Sequence, residues 1–140
     1  TNLIVAQRLV RKTCQNCITS YQLTKKQVED LGLELDLKTL LKTLQREGAA
    51  VADQSIDKML FYRGKGCKQC NMEGYKGRCG IYEVFEVTHE VSELILNSAS
   101  SSELRKIAIA QGMLTMLEDG FLKAKSGVTT IEEVLRVTKD

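Results

Sequence analysis

Two Cys-x-x-Cys pairs, Cys14-Gln15-Asn16-Cys17 and Cys67-Lys68-Gln69-Cys70, constrain this chain more than any other feature. A turn of this kind sets two sulfurs within reach of one ion. Two such turns supply four soft ligands, the set that a tetrahedral zinc ion takes at about 2.3 Å from each sulfur. Residues 14–17 and 67–70 are therefore expected to meet, with Cys14, Cys17, Cys67 and Cys70 as ligands of one structural zinc ion. A four-thiolate site has no open position, so such a metal holds structure without doing chemistry. The segment between the pairs, residues 18–66, is 49 residues long. That exceeds the ~12–20 residues of compact zinc fingers and requires intervening helices that pack as a unit over the site. A redox pair or disulfide, and a different metal, are the competing readings. The fifth cysteine, Cys79, reads as a small residue near the core, with a reactive thiol or substitute ligand as the alternatives.

Compartment decides between these readings, because paired cysteines in a reducing cytosol more often bind metal than each other. No apolar run approaches the ~20 residues that span a bilayer. Arg8, Arg11 and Lys12 break any signal-like stretch at the start. A cytoplasmic chain without a transmembrane segment is expected. With 20 basic and 18 acidic residues the formal charge is +2, which argues against a dedicated nucleic-acid module. A basic cluster of Arg63, Lys65, Lys68, Lys76 and Arg78, beside Phe61, Tyr62 and Tyr75, keeps a nucleic-acid-binding zinc ribbon as the alternative function. Four thiolates on a divalent ion leave a charge of −2, however, and Lys65, Lys68 and Arg78 would partly offset it.

The pattern predicts an α+β fold of short helices and a few strands, followed by a helical C-terminal region. Residues 1–12 read as a helix with a basic C-terminal end. Thr24 and Gln27 form a capping box for a helix to about Leu31, with Gly32 as its terminator. Asp36 caps a second helix carrying Leu37, Leu40, Leu41 and Leu44, which Gly48 ends. Residues 58–63 read as a strand entering the second cysteine pair. Gly64, Gly66, Gly74, Gly77 and Gly80 crowd around that pair, where the backbone must turn sharply. Ile81 to Val87 alternates as a strand. Helices are then expected from Thr88 to Asn97, from Ser101 or Ser102 to Ala110, from Leu114 to Lys125, and from Thr129 or Thr130 onward, with Glu132 and Glu133 as possible capping partners.

Catalytic chemistry is not visible. The single histidine, His89, sits at a predicted helix start and reads as solvent-facing or capping. No Gly-x-x-x-x-Gly-Lys-Ser/Thr phosphate loop occurs, so the chain as it stands is not expected to hydrolyse nucleotide.

With these motifs placed, the sequence resembles the C-terminal part of the type II secretion and type IV pilus assembly ATPases. Four stretches carry the resemblance: Ala6-Gln7-Arg8-Leu9-Val10-Arg11; Phe61-Tyr62-Arg63-Gly64-Lys65-Gly66 into the second cysteine pair; Gly74-Tyr75-Lys76-Gly77-Arg78 into Gly80-Ile81-Tyr82-Glu83; and Gly112 to Gly120 followed by Thr129 to Thr138. The resemblance implies a fragment of a hexameric, cytoplasmic ATPase motor peripheral to the inner membrane. Its partners would be a membrane platform protein and neighbouring motor subunits. ATP and magnesium would be bound upstream. It further implies that residues 1–13 are the C-terminal edge of the ATPase core, 14–75 a tetracysteine insertion, 76–87 a core-edge strand and 88–140 a helical subdomain. Cys79 departs from the threonine common at this position in the family.

Overall fold

A computed structural model describes residues 2–51 and 54–139. Its longest feature is an antiparallel ribbon of two strands, β1 (Asn2–Thr13) and β4 (Tyr75–Val87). Between them in sequence lie a second ribbon of β2 (Ile18–Tyr21) and β3 (Phe61–Gly64), and two helices, α1 (Lys25–Glu34) and α2 (Leu37–Arg46). Four helices follow: α3 (His89–Leu96), α4 (Ser101–Ala110), α5 (Met116–Lys125) and α6 (Ile131–Thr138). Short 3₁₀ turns occupy Ile56–Lys58 and Lys68–Cys70. The class is α+β, as expected. No helix among the described residues is long and apolar enough to cross a membrane.

The first segment corrects the sequence reading. Residues 2–13 form a strand, not a helix. Leu3-Ile4-Val5-Ala6 and Leu9-Val10 are runs rather than a helical stripe, and Ile4, Val5 and Val10 are β-branched. The strand's partner lies some seventy residues downstream, with Leu9 opposite Gly80 and Thr13 opposite Tyr75. Gly32 likewise does not end α1, which runs on to Glu34.

The helix starts follow the capping residues. Thr24 and Thr115 make reciprocal capping boxes with Gln27 and Glu118. Asp36, Thr88, Ser100 and Thr130 cap α2, α3, α4 and α6. Gly48, Gly112 and Gly127 take positive φ after their helices.

One core joins the two halves. Leu40 and Leu44 of α2, Met59 and Phe61 pack with Phe121 of α5 and Val134 of α6. Two of these helices approach unusually closely, because a Cβ at Gly120 of α5 would lie 2.5 Å from Cγ1 of Val134. A Gly→Ala change inside a helix ordinarily gains up to ~1 kcal/mol. Here the overpacking cost of roughly 1–3 kcal/mol should outweigh it. Gly120→Ala is therefore expected to lower the urea midpoint of unfolding, and a raised midpoint would show that α6 can shift without cost.

A candidate metal centre

The β1–β4 register delivers the first cysteine pair to the second. β1 ends at Thr13 opposite Tyr75, and the next amide, Cys14 N–H, donates to the Gly74 carbonyl at 2.9 Å. The chain then turns through Cys17 into β2, and β2 pairs with β3, which leads back to Cys67. Lys65 N–H donates to the Cys17 carbonyl at 3.1 Å and locks the two turns together. Glycine is required where they touch. A Cβ on Gly64 would sit 2.3 Å from the Gly74 carbonyl oxygen, and Gly74 itself has φ of +82°.

The four sulfurs predicted to meet do meet. Cys14 and Cys67 Sγ are 3.8 Å apart, Cys17 and Cys70 3.8 Å, and Cys67 and Cys70 3.7 Å. All four atoms lie within 4.8 Å of one another, and all are free thiols. These separations are far longer than the ~2.05 Å of a disulfide. They equal the edge of a tetrahedron, about 3.8 Å, whose corners lie ~2.3 Å from a central ion. The group could therefore hold a metal ion. Cys79, across the ribbon from Val10, is not part of it.

Donors surround the sulfurs as thiolates require. Gly66 N–H points at Cys17 Sγ (3.3 Å), Cys67 N–H and Gly74 N–H at Cys70 Sγ (3.3 and 3.2 Å), and the Asn16 amide at Cys67 Sγ (3.2 Å). The Asn16 bond leads the causes that hold the Cys67 thiol down to about 6. Desolvation pushes Cys17 up to about 11. Burial would raise Cys70 too, but the amides of Cys67 and Gly74 outweigh it and lower that thiol. The glycines of the knuckle were legible beforehand; Asn16 was not, since an Asn between two cysteines carries no distinctive pattern.

A second polar centre ties this site to the C-terminal helices, and sequence reasoning saw only part of it. Glu133 does follow its cap Thr130 in α6, but its carboxylate is nearly buried and turns to β1. It accepts from Arg11 N–H (2.8 Å), Arg11 Nη2 (2.9 Å), Arg136 Nε (2.9 Å) and Arg136 Nη2 (3.0 Å). Thr129 Oγ1 donates to the Arg11 carbonyl at 2.8 Å, and Thr13 N–H to the Val128 carbonyl at 3.0 Å. Gln15, inside the first cysteine turn, donates to both Thr13 and Gly127 carbonyls. The α5–α6 turn is thus bolted to the strand that carries Cys14. His89, by contrast, is exposed and faces Glu93 at 3.1 Å, in keeping with its solvent-facing reading.

The chain belongs to the family described as Type II/IV secretion system protein, which matches residues 1–136. Among curated relatives, it is 36% identical over 135 residues to the type IV pilus assembly ATPase PilB of Thermus thermophilus, covering 96% of this chain and 13% of that protein. It is 37% identical to PilB of Myxococcus xanthus over 134 residues, covering 96% and 21%. It is also 33% identical to the type II secretion system ATPase E of Vibrio cholerae over 137 residues, covering 98% and 23%. The chain therefore spans less than a quarter of these relatives.

Burial would raise the pKa of Glu133, but the bonds from Arg136 and Arg11 overcome it and bring the carboxyl from 4.5 down to about 2. Because the folded value lies below the unfolded one, the stabilisation is full above pH 4.5 and is lost as pH falls toward 2. Both arginines are half exposed, so the contribution is about 2 kcal/mol once solvent screening is allowed for. Glu133→Gln should lower stability at neutral pH by that amount. Denaturant titrations of the two proteins should converge between pH 4.5 and 2; a constant difference would contradict the assignment.

Proposed function

We propose that this chain is the C-terminal, zinc-binding portion of a hexameric ATPase motor serving type IV pilus assembly or type II secretion. The observation that carries the metal assignment is the set of sulfur separations, 3.7–3.8 Å, which suits four thiolates around one tetrahedral zinc ion. Cys14, Cys17, Cys67 and Cys70 are the ligands in this reading. The ion fixes two distant segments without taking part in any reaction. One zinc per chain is expected after purification without added metal. Cys67→Ser should lose both the metal and the cooperative unfolding transition, since structural zinc contributes roughly 10–16 kcal/mol in small metallo-domains. A metal-free chain that stays folded would sink the proposal.

The motor reading places ATP and magnesium in a part of the protein upstream of this chain. Residues 1–13 and 76–87 then form the edge of the ATPase core, 14–75 an insertion and 88–140 a helical subdomain. Neighbouring subunits of the hexamer and an inner-membrane platform protein are the partners, and the location is cytoplasmic at that membrane. The β1–β4 ribbon supports this. Arg11 turns its backbone N–H and C=O away from β4, to Glu133 and Thr129. By the period of two, Leu3, Val5, Gln7 and Leu9 also turn theirs outward. The opposite edge is capped: Asp119 accepts from Tyr82 N–H, and Lys123 Nζ donates to the Gly80 carbonyl. In this reading the β1 edge is the one offered to a further strand, and Leu3 and Val5 beside it are more than half exposed. In hydrogen exchange, the amides of Leu3, Val5, Gln7 and Leu9 should exchange fast in this chain and be protected in the full-length motor. Equal exchange in both would remove the core-edge assignment.

A further inference from the structure

The four sulfurs of the cluster are not supported alike. Cys14 and Cys70 are buried, whereas Cys17 and Cys67 are only half-buried and form the side that meets solvent. Backbone amides serve most of the sulfurs: Gly66 N–H points at Cys17 Sγ, and Cys67 N–H and Gly74 N–H at Cys70 Sγ. Those donors follow from the course of the chain and do not depend on a side chain. Cys67 differs. Besides the Cys70 N–H of its own turn, its sulfur takes the Asn16 side-chain amide at 3.2 Å. Among the described residues Asn16 is the one side chain other than cysteine that bonds to the cluster.

The path of this bond matters more than its length. Asn16 belongs to the first cysteine turn and Cys67 opens the second, so the contact joins segments 51 residues apart. The Gly66 amide makes the reverse crossing, from the second turn to Cys17. The first turn is itself anchored, because the neighbouring Gln15 donates to the carbonyls of Thr13 and Gly127. Asn16 is thus an exposed side chain on a fixed turn, set against a half-buried sulfur. Four thiolates around a divalent ion leave a net charge of −2, and each N–H aimed at a sulfur offsets part of it. An amide does this without adding a titratable group. Aspartate has the same shape but carries only acceptors at neutral pH. A chelator taking the ion must approach from the exposed side, where the Cys17 and Cys67 sulfurs are the first it can displace.

We propose that Asn16 is a positioning residue of the metal centre: its amide holds the Cys67 thiolate and slows release of the ion through the exposed Cys17–Cys67 face. This rests on the zinc reading given above. The test first measures the zinc content of the unmodified chain, then follows transfer of the metal to an excess of a chromophoric chelator. Asn16→Ala should speed the transfer about tenfold or more, and Asn16→Asp further still. Gln69→Ala, at the equivalent exposed position of the second turn, should leave the rate unchanged. Cobalt substitution supplies a second readout. Losing an N–H raises the energy of the sulfur lone pairs, so the sulfur-to-cobalt charge-transfer band should move to lower energy in Asn16→Ala. A role in packing alone would let aspartate replace asparagine and would leave the band in place. An unchanged rate in Asn16→Ala, an equal effect of Gln69→Ala, an Asn16→Asp chain that keeps its metal as the unmodified one does, or an unshifted band would overturn the role of Asn16 and leave the metal centre standing. An unmodified chain purified free of metal would overturn both.

Discussion

The pairing of β1 with β4 is the constraint on which the rest of the molecule depends. It joins residues 2–13 to residues 75–87, and its final step sets Thr13 against Tyr75. Cys14 therefore emerges beside Gly74, four residues past Cys70, and their backbone bond seats the first turn on the second. A slip of one residue in this register would turn every side chain to the opposite face. It would also carry Cys14 away from its partners. Pairing of β2 with β3 repeats the constraint from the other side, since Ile18 follows Cys17 directly and lies opposite Gly64. Two short ladders thus hold the four sulfurs before any ion is considered.

The length of the intervening segment does not count against such a site. Loop-closure entropy grows with the logarithm of length, so each doubling costs only about 0.6 kcal/mol. A gap of 49 residues is therefore only about 1 kcal/mol worse than a compact finger. The segment is also not slack. Leu40, Leu44 and Phe61 are buried against Phe121 and Val134, so residues 18–66 lean on the C-terminal helices as much as on the cysteines. The Glu133 centre adds a polar contact between the same helices and β1. The cysteine cluster, the helices between its two pairs and the C-terminal helices share one set of supports.

What was legible in the sequence was local. Thr24, Asp36, Thr88 and Thr130 announced helix starts because capping is settled within four residues. The cysteine quartet was legible because few other residue patterns have its chemistry. Residues 1–12 were misread because strand formation there depends on a partner some seventy residues away, while the basic residues at the end of the run suit a helix equally well. Glu133 was seen as a cap partner, which uses its neighbours in sequence. Its larger role, receiving Arg11, arises only when β1 and α6 are brought together. Both of these misreadings fall where non-local contacts outweigh local preference.

The same ribbon also shows how one two-stranded element can serve different purposes along its length. Near β1's start both faces carry apolar residues, and Leu3, Ile4 and Val5 are more than half exposed. In its middle, Val10 and Ile81 are wholly buried beneath the helices, and Asp119 and Lys123 close the β4 edge. At its far end a bulge ends regular pairing, Glu133 and Val128 take over the outward amides of β1, and the cysteine turn begins. Regular pairing past Arg11 would continue a sheet. The bulge instead shifts the register by one residue, so that Thr13 faces Tyr75 and the Cys14 N–H reaches the Gly74 carbonyl beside the sulfur cluster.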